Sequence, residues 1–124
     1  MASPTDRRYL SSHEWHKLDG DIVTIGISQF AVEELTDITY VDFVKTEGDI
    51  SAGESFGEIE SVKATSDLNT GVDGSVVEIN EKVLDDPTLI NTDPYGEGWL
   101  LKIKASNAAQ VDQLLDSEAY DAQA

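Results

Sequence analysis

The sequence lacks cysteine altogether and is poor in basic residues. Its 124 residues include 8 lysine and arginine residues against 25 aspartate and glutamate residues. Without cysteine, the chain cannot form disulfide bonds, zinc–thiolate sites, iron–sulfur clusters or a cysteine nucleophile. The formal net charge of -17 opposes binding to nucleic acid or to an anionic membrane surface. No window approaches the roughly 20 apolar residues of a membrane-spanning helix, so we expect neither nucleic acid nor membrane as a partner.

A chain of this length is expected to form one domain. Residues 1–8 are polar and contain Pro4, and they are predicted to form a flexible N-terminal arm. They lack the apolar stretch of a signal peptide, which favours a cytoplasmic protein, with a mature mitochondrial form as the alternative. Residues 9–124 are predicted to form the domain, which ends in a helical segment at about 106–122 with Ser106 as its N-cap.

Short runs of β-branched residues between turn signals predict a mainly β fold. Asp19 and Gly20 separate two apolar runs, which is a strong signal for a β-hairpin. A short helix is predicted over residues 29–35, with Ser28 as its N-cap. Strands are predicted at 22–25, 38–44, 74–79 and 98–105, and a long loop or short turns at 81–97. Together these elements indicate a β sandwich or barrel with small helices.

Two histidines near the start of the domain invite a metal interpretation. His13 and His16 are three residues apart in a predicted strand, which directs their imidazoles to opposite faces. The zinc-protease pattern instead needs two histidines four residues apart on a helix. We therefore predict no metal site and interpret both residues as surface or edge-strand histidines.

Gly53, Ser55 and Gly57 match the G-x-S-x-G pattern of a nucleophile elbow. That motif requires a large parallel sheet and a triad histidine downstream of the serine. Both histidines of this chain precede Ser55, and the chain is too short for such a fold. We interpret the match as chance, with the two glycines marking turns or a bulge.

Lys63 is unusual in its surroundings. Between residues 18 and 81, Lys45 and Lys63 are the only basic residues, and Lys63 has acidic residues on both sides. One interpretation is a surface lysine that pairs with Glu60 or Asp67. The other is a lysine that a separate enzyme modifies.

A set of short motifs resembles the glycine cleavage H-protein family over about residues 9–120. The central motif is ESVKATSDLN, which contains Lys63 and resembles the family's lipoylation site. The others, in the family's order, are SHEW (12–15), TIGI (24–27), GSVVEIN (74–80), LIN (89–91), PYG (94–96) and GWL (98–100). Two positions depart from the pattern, Thr36 where the family often has glycine and Val44 where it often has proline, and both concern local loop shape.

The resemblance implies a flattened β sandwich of the lipoyl-domain type, a barrel-sandwich hybrid, that serves as a non-catalytic carrier. It implies that Lys63 holds lipoic acid as lipoyllysine at an exposed hairpin turn. It also implies that Ser12, Glu14 and Asp67 form a pocket for the aminomethyl-loaded arm. No residue is then expected to be catalytic.

The partners implied by the resemblance are glycine decarboxylase, aminomethyltransferase, dihydrolipoamide dehydrogenase and a lipoate-attaching enzyme. The carrier, expected to be a monomer, would move the aminomethyl group of glycine from the first enzyme to the second and return to the third for reoxidation. Alternatives are an H-like carrier that serves another lipoyl-dependent system, a hydrolase that uses Glu14 and Asp67, and an interaction module with unmodified Lys63.

Overall fold

The computed structural model describes residues 3–123 of the chain. Met1 and Ala2, which belong to the predicted N-terminal arm, and Ala124 lie outside the described residues. The strands are β1 (Arg8–Tyr9), β2 (Glu14–Asp19), β3 (Ile22–Ile27), β4 (Ile38–Phe43), β5 (Gly48–Ile50), β6 (Ser55–Ser61), β7 (Thr65–Asn69), β8 (Gly74–Ile79) and β9 (Leu101–Ala105). The helices are α1 (Gln29–Leu35), α2 (Lys82–Asp85), α3 (Thr88–Thr92), a 3-10 helix (Ala108–Gln113) and α4 (Ser117–Gln123).

Two antiparallel sheets make up the fold. One has six strands in the order β1-β2-β3-β9-β8-β5, and the other has three in the order β4-β6-β7. The predicted mainly β fold is therefore confirmed. Within residues 3–123, no helix is long and apolar enough to cross a membrane.

The first half of the domain follows its local signals closely. Asp19 pairs with Ile22, so Gly20 and Asp21 form a two-residue hairpin turn, and Gly20 has the positive φ of 66° that such turns require. Helix α1 has its predicted limits, and the Ser28 side chain accepts a hydrogen bond from its third residue. Both predictions are confirmed.

The two departures from the family pattern have different backbone environments. Thr36, which follows α1, has a φ of 61°, the left-handed region that glycine occupies without strain. Val44 is 65% exposed, and its N–H donates to the Phe56 carbonyl at 2.9 Å. Proline at position 44 could not make this hydrogen bond.

The last third of the chain differs from its local signals. The predicted loop at 81–97 contains α2 and α3, and the predicted strand at 98–105 begins only at Leu101. Ser106 is not the N-cap, because Asn107 caps the 3-10 helix by accepting from Ala109 N–H at 3.2 Å. This helix ends before Leu115, whose backbone exchanges hydrogen bonds of 2.8 and 3.0 Å with that of Tyr9.

The apolar residues form two clusters. The larger one fills the space between the sheets and packs against α1, α2 and α3. The smaller one consists of Tyr9, Trp15 and Tyr120, with Tyr95, Trp99 and Leu115 packed against it. The smaller cluster joins β1 and β2 to α4, so it fixes both ends of the described chain to the same side of the domain.

Candidate functional site

Lys63 lies at the tip of the β6–β7 hairpin, between the last residue of β6, Ser61, and the first residue of β7, Thr65. The Ser61 hydroxyl accepts hydrogen bonds of 3.1 Å from the N–H groups of Lys63 and Ala64. The Ser61 N–H also donates to the Ala64 carbonyl at 2.8 Å. One serine therefore fixes the backbone of the turn, while the side chain of Lys63 is exposed.

A second contact joins this turn to the end of α1. The N–H of Val62 donates to the carbonyl of Asp37 at 3.1 Å, and the Val62 side chain is 66% exposed. The turn is thus held at its base on two sides, and its apolar and amine side chains point away from the core.

The predicted pairing of Lys63 with Glu60 or Asp67 is not formed. None of the ion pairs that residues 3–123 make includes Lys63. Lys45, the other lysine in this part of the chain, does form one, with Glu54 at 3.5 Å. The Lys63 amine is therefore accessible to an enzyme that acts on it.

The other three predicted site residues, Ser12, Glu14 and Asp67, line one cavity of about 160 Å³, here called the Glu14 cavity. Asp67 is four residues after Lys63 and is the third residue of β7, which begins at Thr65. Apolar side chains close much of the wall, namely those of Ile27, Ala31, Leu35, Ile59 and Leu68. A larger depression of about 710 Å³ beside Trp99 contains none of the predicted site residues.

Glu14 is the most constrained group in this cavity. Its side chain is 1% exposed, one carboxyl oxygen accepts from the Ser12 hydroxyl, and the other accepts from Asn69 N–H at 2.7 Å. Burial raises the pKa of Glu14, and the hydrogen bonds from Ser12 and Asn69 oppose that rise. A carboxylate oxygen can accept a second hydrogen bond, so Glu14 can still receive a cationic donor from the cavity.

The two histidines differ from each other in environment. His16 is fully buried and pairs with both β1 and β3, so its interpretation as a surface or edge-strand histidine is wrong. Its Nε2 accepts from Gly71 N–H at 2.9 Å. His13 is half-buried and lines the Glu14 cavity. In the described part of the chain, no group of three or more histidine, aspartate or glutamate residues could hold a metal ion.

The G-x-S-x-G match is explained by the backbone at its two glycines, and Ser55 is not part of a catalytic arrangement. Gly53 adopts a φ of 88° in the turn before β6. The register of β6 shifts between Ser55 and Gly57, and a Cβ at Gly57 would lie 2.3 Å from the carbonyl oxygen of Asp42. The interpretation of these glycines as turn and bulge residues is confirmed.

Tyr120 is a residue near the cavity that sequence reasoning missed. Its hydroxyl lies 2.6 Å from Nδ1 of His13 and 2.6 Å from Oγ of Ser28. It comes from α4, more than 90 residues after either partner. No local pattern could have indicated this contact.

Comparisons with known proteins agree over almost the whole chain. The family model described as Glycine cleavage H-protein matches residues 7–124. A glycine cleavage system H protein of Carboxydothermus hydrogenoformans is 50% identical over 118 residues, which are 95% of this chain and 91% of that protein. Glycine cleavage system H protein 2, mitochondrial, of Arabidopsis thaliana is 45% identical over 93% of this chain and 74% of its own length.

The fold of this chain is also similar to that of a solved structure. The crystal structure of a glycine cleavage system H protein from Mycobacterium marinum superimposes with a TM-score of 0.87 at 41% identity. The match covers 97% of each chain.

Proposed function

The chain belongs to the glycine cleavage H-protein family, and on that premise we propose that Lys63 is the residue to which the lipoyl group is attached. The protein is a non-catalytic lipoyl carrier of the glycine cleavage system. The observation that carries the proposal for Lys63 is its exposed amine at the tip of a hairpin whose backbone Ser61 fixes.

The residues around Lys63 suit such an attachment. Amide formation at Nζ removes the charge of the lysine, and this costs no ion pair because Lys63 makes none with residues 3–123. When attached, the lipoyl group supplies a dithiolane that is reduced and reoxidised and that accepts a one-carbon amine. The chain supplies the rigid mount and raises the local concentration of that group at whichever partner is docked.

The Glu14 cavity is the proposed resting place of the carried amine. A protonated amine is stabilised by carboxylates in a site with little water, and Glu14 and Asp67 supply two of them. Ser12 holds the Glu14 carboxylate through its hydroxyl. The apolar side chains that line the same cavity exclude water from the carbon that bears the amine.

We further propose the partners, the domain limits, the oligomeric state and the location that the family suggests. The partners are glycine decarboxylase, aminomethyltransferase, dihydrolipoamide dehydrogenase and a lipoate-attaching enzyme, and the acidic surface favours docking to basic patches on them. The carrier domain comprises residues 9–124, and the protein acts as a monomer. A cytoplasmic location rests on the bacterial relatives, with the mitochondrial matrix as the alternative.

The direct test is the intact mass of protein purified from its own host grown with lipoate. We expect one lipoyl mass increment on the natural chain and on Lys45→Arg, and none on Lys63→Arg, because a guanidinium is not acylated in this way. Lys45→Arg is a matched control for the loss of one lysine. An increment on Lys63→Arg, or none on the natural chain, would overturn the attachment proposal.

A second measurement separates the carrier roles. The lipoylated chain should accept an aminomethyl group from glycine decarboxylase in the presence of glycine. A lipoylated chain that fails with this enzyme but serves another lipoyl-dependent system would favour the H-like alternative.

A further inference from the structure

The hydroxyl of Tyr120 lies at the junction of two segments that form the walls of the Glu14 cavity. One wall includes Ser12, His13 and Glu14 at the start of β2. Another wall includes Ala31, Glu34 and Leu35 of α1, a helix that Ser28 caps. These two segments are the ones that Tyr120 joins.

The contacts of the Tyr120 hydroxyl are short, and the one to Ser28 is buried. Its hydroxyl is 2.6 Å from Nδ1 of His13 and 2.6 Å from Oγ of Ser28, and Tyr120 and Ser28 are both fully buried. A backbone hydrogen bond of 2.9 Å from Ser28 N–H to the His13 carbonyl lies beside them. The ring of Tyr120 stacks on that of Tyr9, with centroids 4.6 Å apart and an interplanar angle of 10°.

The hydrogen bonds can be given a direction. Oγ of Ser28 already accepts from Ala31 N–H at 3.2 Å, and among residues 3–123 the Tyr120 oxygen is the only acceptor for its own proton. Tyr120 must then donate to Nδ1 of His13, because otherwise a buried hydroxyl proton would have no acceptor. This direction requires a neutral His13 that carries its proton on Nε2.

The protonation of both rings agrees with this direction. Burial lowers the pKa of His13, although the nearby Glu34 opposes that change, and the lowered pKa favours the neutral imidazole. Burial also raises the pKa of Tyr120 to about 12, which keeps its hydroxyl proton in place. The chain of donors runs from Ser28 through Tyr120 to His13.

We propose that Tyr120 is a positioning residue for the carrier, whose hydroxyl holds the His13 wall and the α1 wall of the Glu14 cavity at a fixed separation. The inference rests on the proposed function, because it takes this cavity to be the resting place of the carried amine. Helix α4 thereby acts on the cavity without contributing a side chain to its lining. Loss of the hydroxyl should loosen the cavity and leave the fold intact.

The test compares Tyr120→Phe with Tyr9→Phe in the full chain labelled with ¹⁵N. Tyr9 is an equally buried partner in the same stack, and its hydroxyl donates to the Pro4 carbonyl at 2.6 Å, away from the cavity. Ring nitrogen shifts at pH 7 report the tautomer of His13. Amide hydrogen exchange reports the opening of α1.

We expect His13 in the natural chain and in Tyr9→Phe to hold its proton on Nε2. In Tyr120→Phe we expect a mixture of tautomers, and faster exchange at Ala31 and Val32 by about tenfold. The same tautomer and the same exchange in both variants would overturn the positioning role. So would a natural chain whose His13 carries its proton on Nδ1.

A titration with methylammonium chloride, followed by the amide shifts of Glu14 and Asp67, links this role to the amine. We expect the dissociation constant to be about fivefold higher for Tyr120→Phe than for Tyr9→Phe. Equal constants would contradict the positioning role. No binding to the natural chain would contradict the resting place proposed for the amine, while the tautomer and exchange results would still decide the role of Tyr120.

Discussion

The side chain of Asn91 holds Thr36 in a backbone conformation that threonine rarely adopts. Its Nδ2 donates to the Thr36 carbonyl at 2.7 Å, and its Oδ1 accepts from Ile38 N–H at 3.0 Å. Between these contacts Thr36 has a φ of 61° and a ψ of -133°. The turn leads from α1 to Asp37, whose carbonyl accepts a hydrogen bond from Val62 N–H in the β6–β7 turn that contains Lys63. A strained residue therefore lies at the base of the mount for Lys63.

Thr36→Gly is expected to stabilise the protein by about 1 kcal/mol. A positive φ in this region costs a residue with a Cβ about 1–3 kcal/mol, and the greater freedom of glycine in the unfolded chain offsets part of the gain. Thr39→Gly, in β4 with no positive φ, should destabilise instead. Urea unfolding at pH 7 measures both. A loss of stability in Thr36→Gly would show that the lost hydrogen bond from the Thr36 hydroxyl to the Leu35 carbonyl, 2.6 Å long, and the freedom of glycine in the unfolded chain outweigh the strain of the positive φ.

The structural elements that depend on residues close together in sequence could be predicted from local signals. The Gly20 turn and the Ser28 cap depend on residues within a few positions, and both could be predicted. The exposure of Lys63 at a turn came from the family resemblance, since a lysine among acids is ordinary on a protein surface. The departure from the family pattern at Thr36 is visible in the sequence, but the strain at this residue depends on its backbone conformation.

The remaining features depend on contacts between distant parts of the chain. His16 could not be predicted as buried, because its partner Gly71 is 55 residues away. The C-terminal segment breaks after the 3-10 helix because Leu115 pairs with Tyr9, a contact across 106 residues. Tyr120 reaches His13 and Ser28 for the same reason, through packing that no sequence period encodes.

Gly26→Ala is expected to destabilise the protein by about 3 kcal/mol. A Cβ at this position would lie 2.6 Å from two carbon atoms of the Trp15 ring. That ring cannot move freely, because its Nε1 donates to the Pro94 carbonyl at 3.0 Å and the Arg7 guanidinium lies 4.7 Å above it. Overpacking of this kind typically costs 1–3 kcal/mol. Guanidinium unfolding followed by tryptophan fluorescence measures the loss.

The double variant Gly26→Ala with Trp15→Phe supplies the control for this clash. The smaller ring leaves space for the new methyl group, so the double variant should lose less stability than the sum of the two single variants. Additive losses would show that Gly26 matters for its backbone and not for its closeness to Trp15.

The burial of His16 should make stability depend on pH. Burial lowers the pKa of His16 from 6.5 to about 4. Between these two values the unfolded chain binds a proton that the folded chain excludes, so the free energy of unfolding falls as the pH falls from 6.5 to 4. Above pH 6.5 His16 is neutral in both states and costs no stability. The full change is about 3 kcal/mol, since each pKa unit corresponds to 1.36 kcal/mol.

Comparison with His16→Gln isolates this effect from that of Glu14. The raised pKa of Glu14 acts in the opposite direction, because the folded chain then binds a proton more readily than the unfolded chain. Glutamine can still accept from Gly71 N–H but has no charge to gain. The urea midpoint should therefore fall more between pH 7 and pH 4.5 in the natural chain than in His16→Gln. Equal falls in the two proteins would show that the acid sensitivity comes from other groups.

Glu14→Gln should leave lipoylation intact and shorten the lifetime of the carried amine. The substitution keeps the size of the side chain but removes the negative charge that faces the Glu14 cavity, so a protonated amine is held less tightly. We expect ammonia release from the loaded carrier, in the absence of partner enzymes, to accelerate about tenfold, with a smaller effect for the more exposed Asp67→Asn. Intact mass before loading confirms that Lys63 is modified equally in each variant.

Glu58→Gln is the matched control, because Glu58 pairs with Asp67 in the strand register, is exposed and does not line the cavity. It changes the net charge of the surface by the same amount as Glu14→Gln. If general surface charge protected the amine, both variants would release ammonia at the same faster rate. If the buried carboxylate protects it, Glu58→Gln keeps the natural rate, because an exposed charge that does not line the cavity is screened by water and salt.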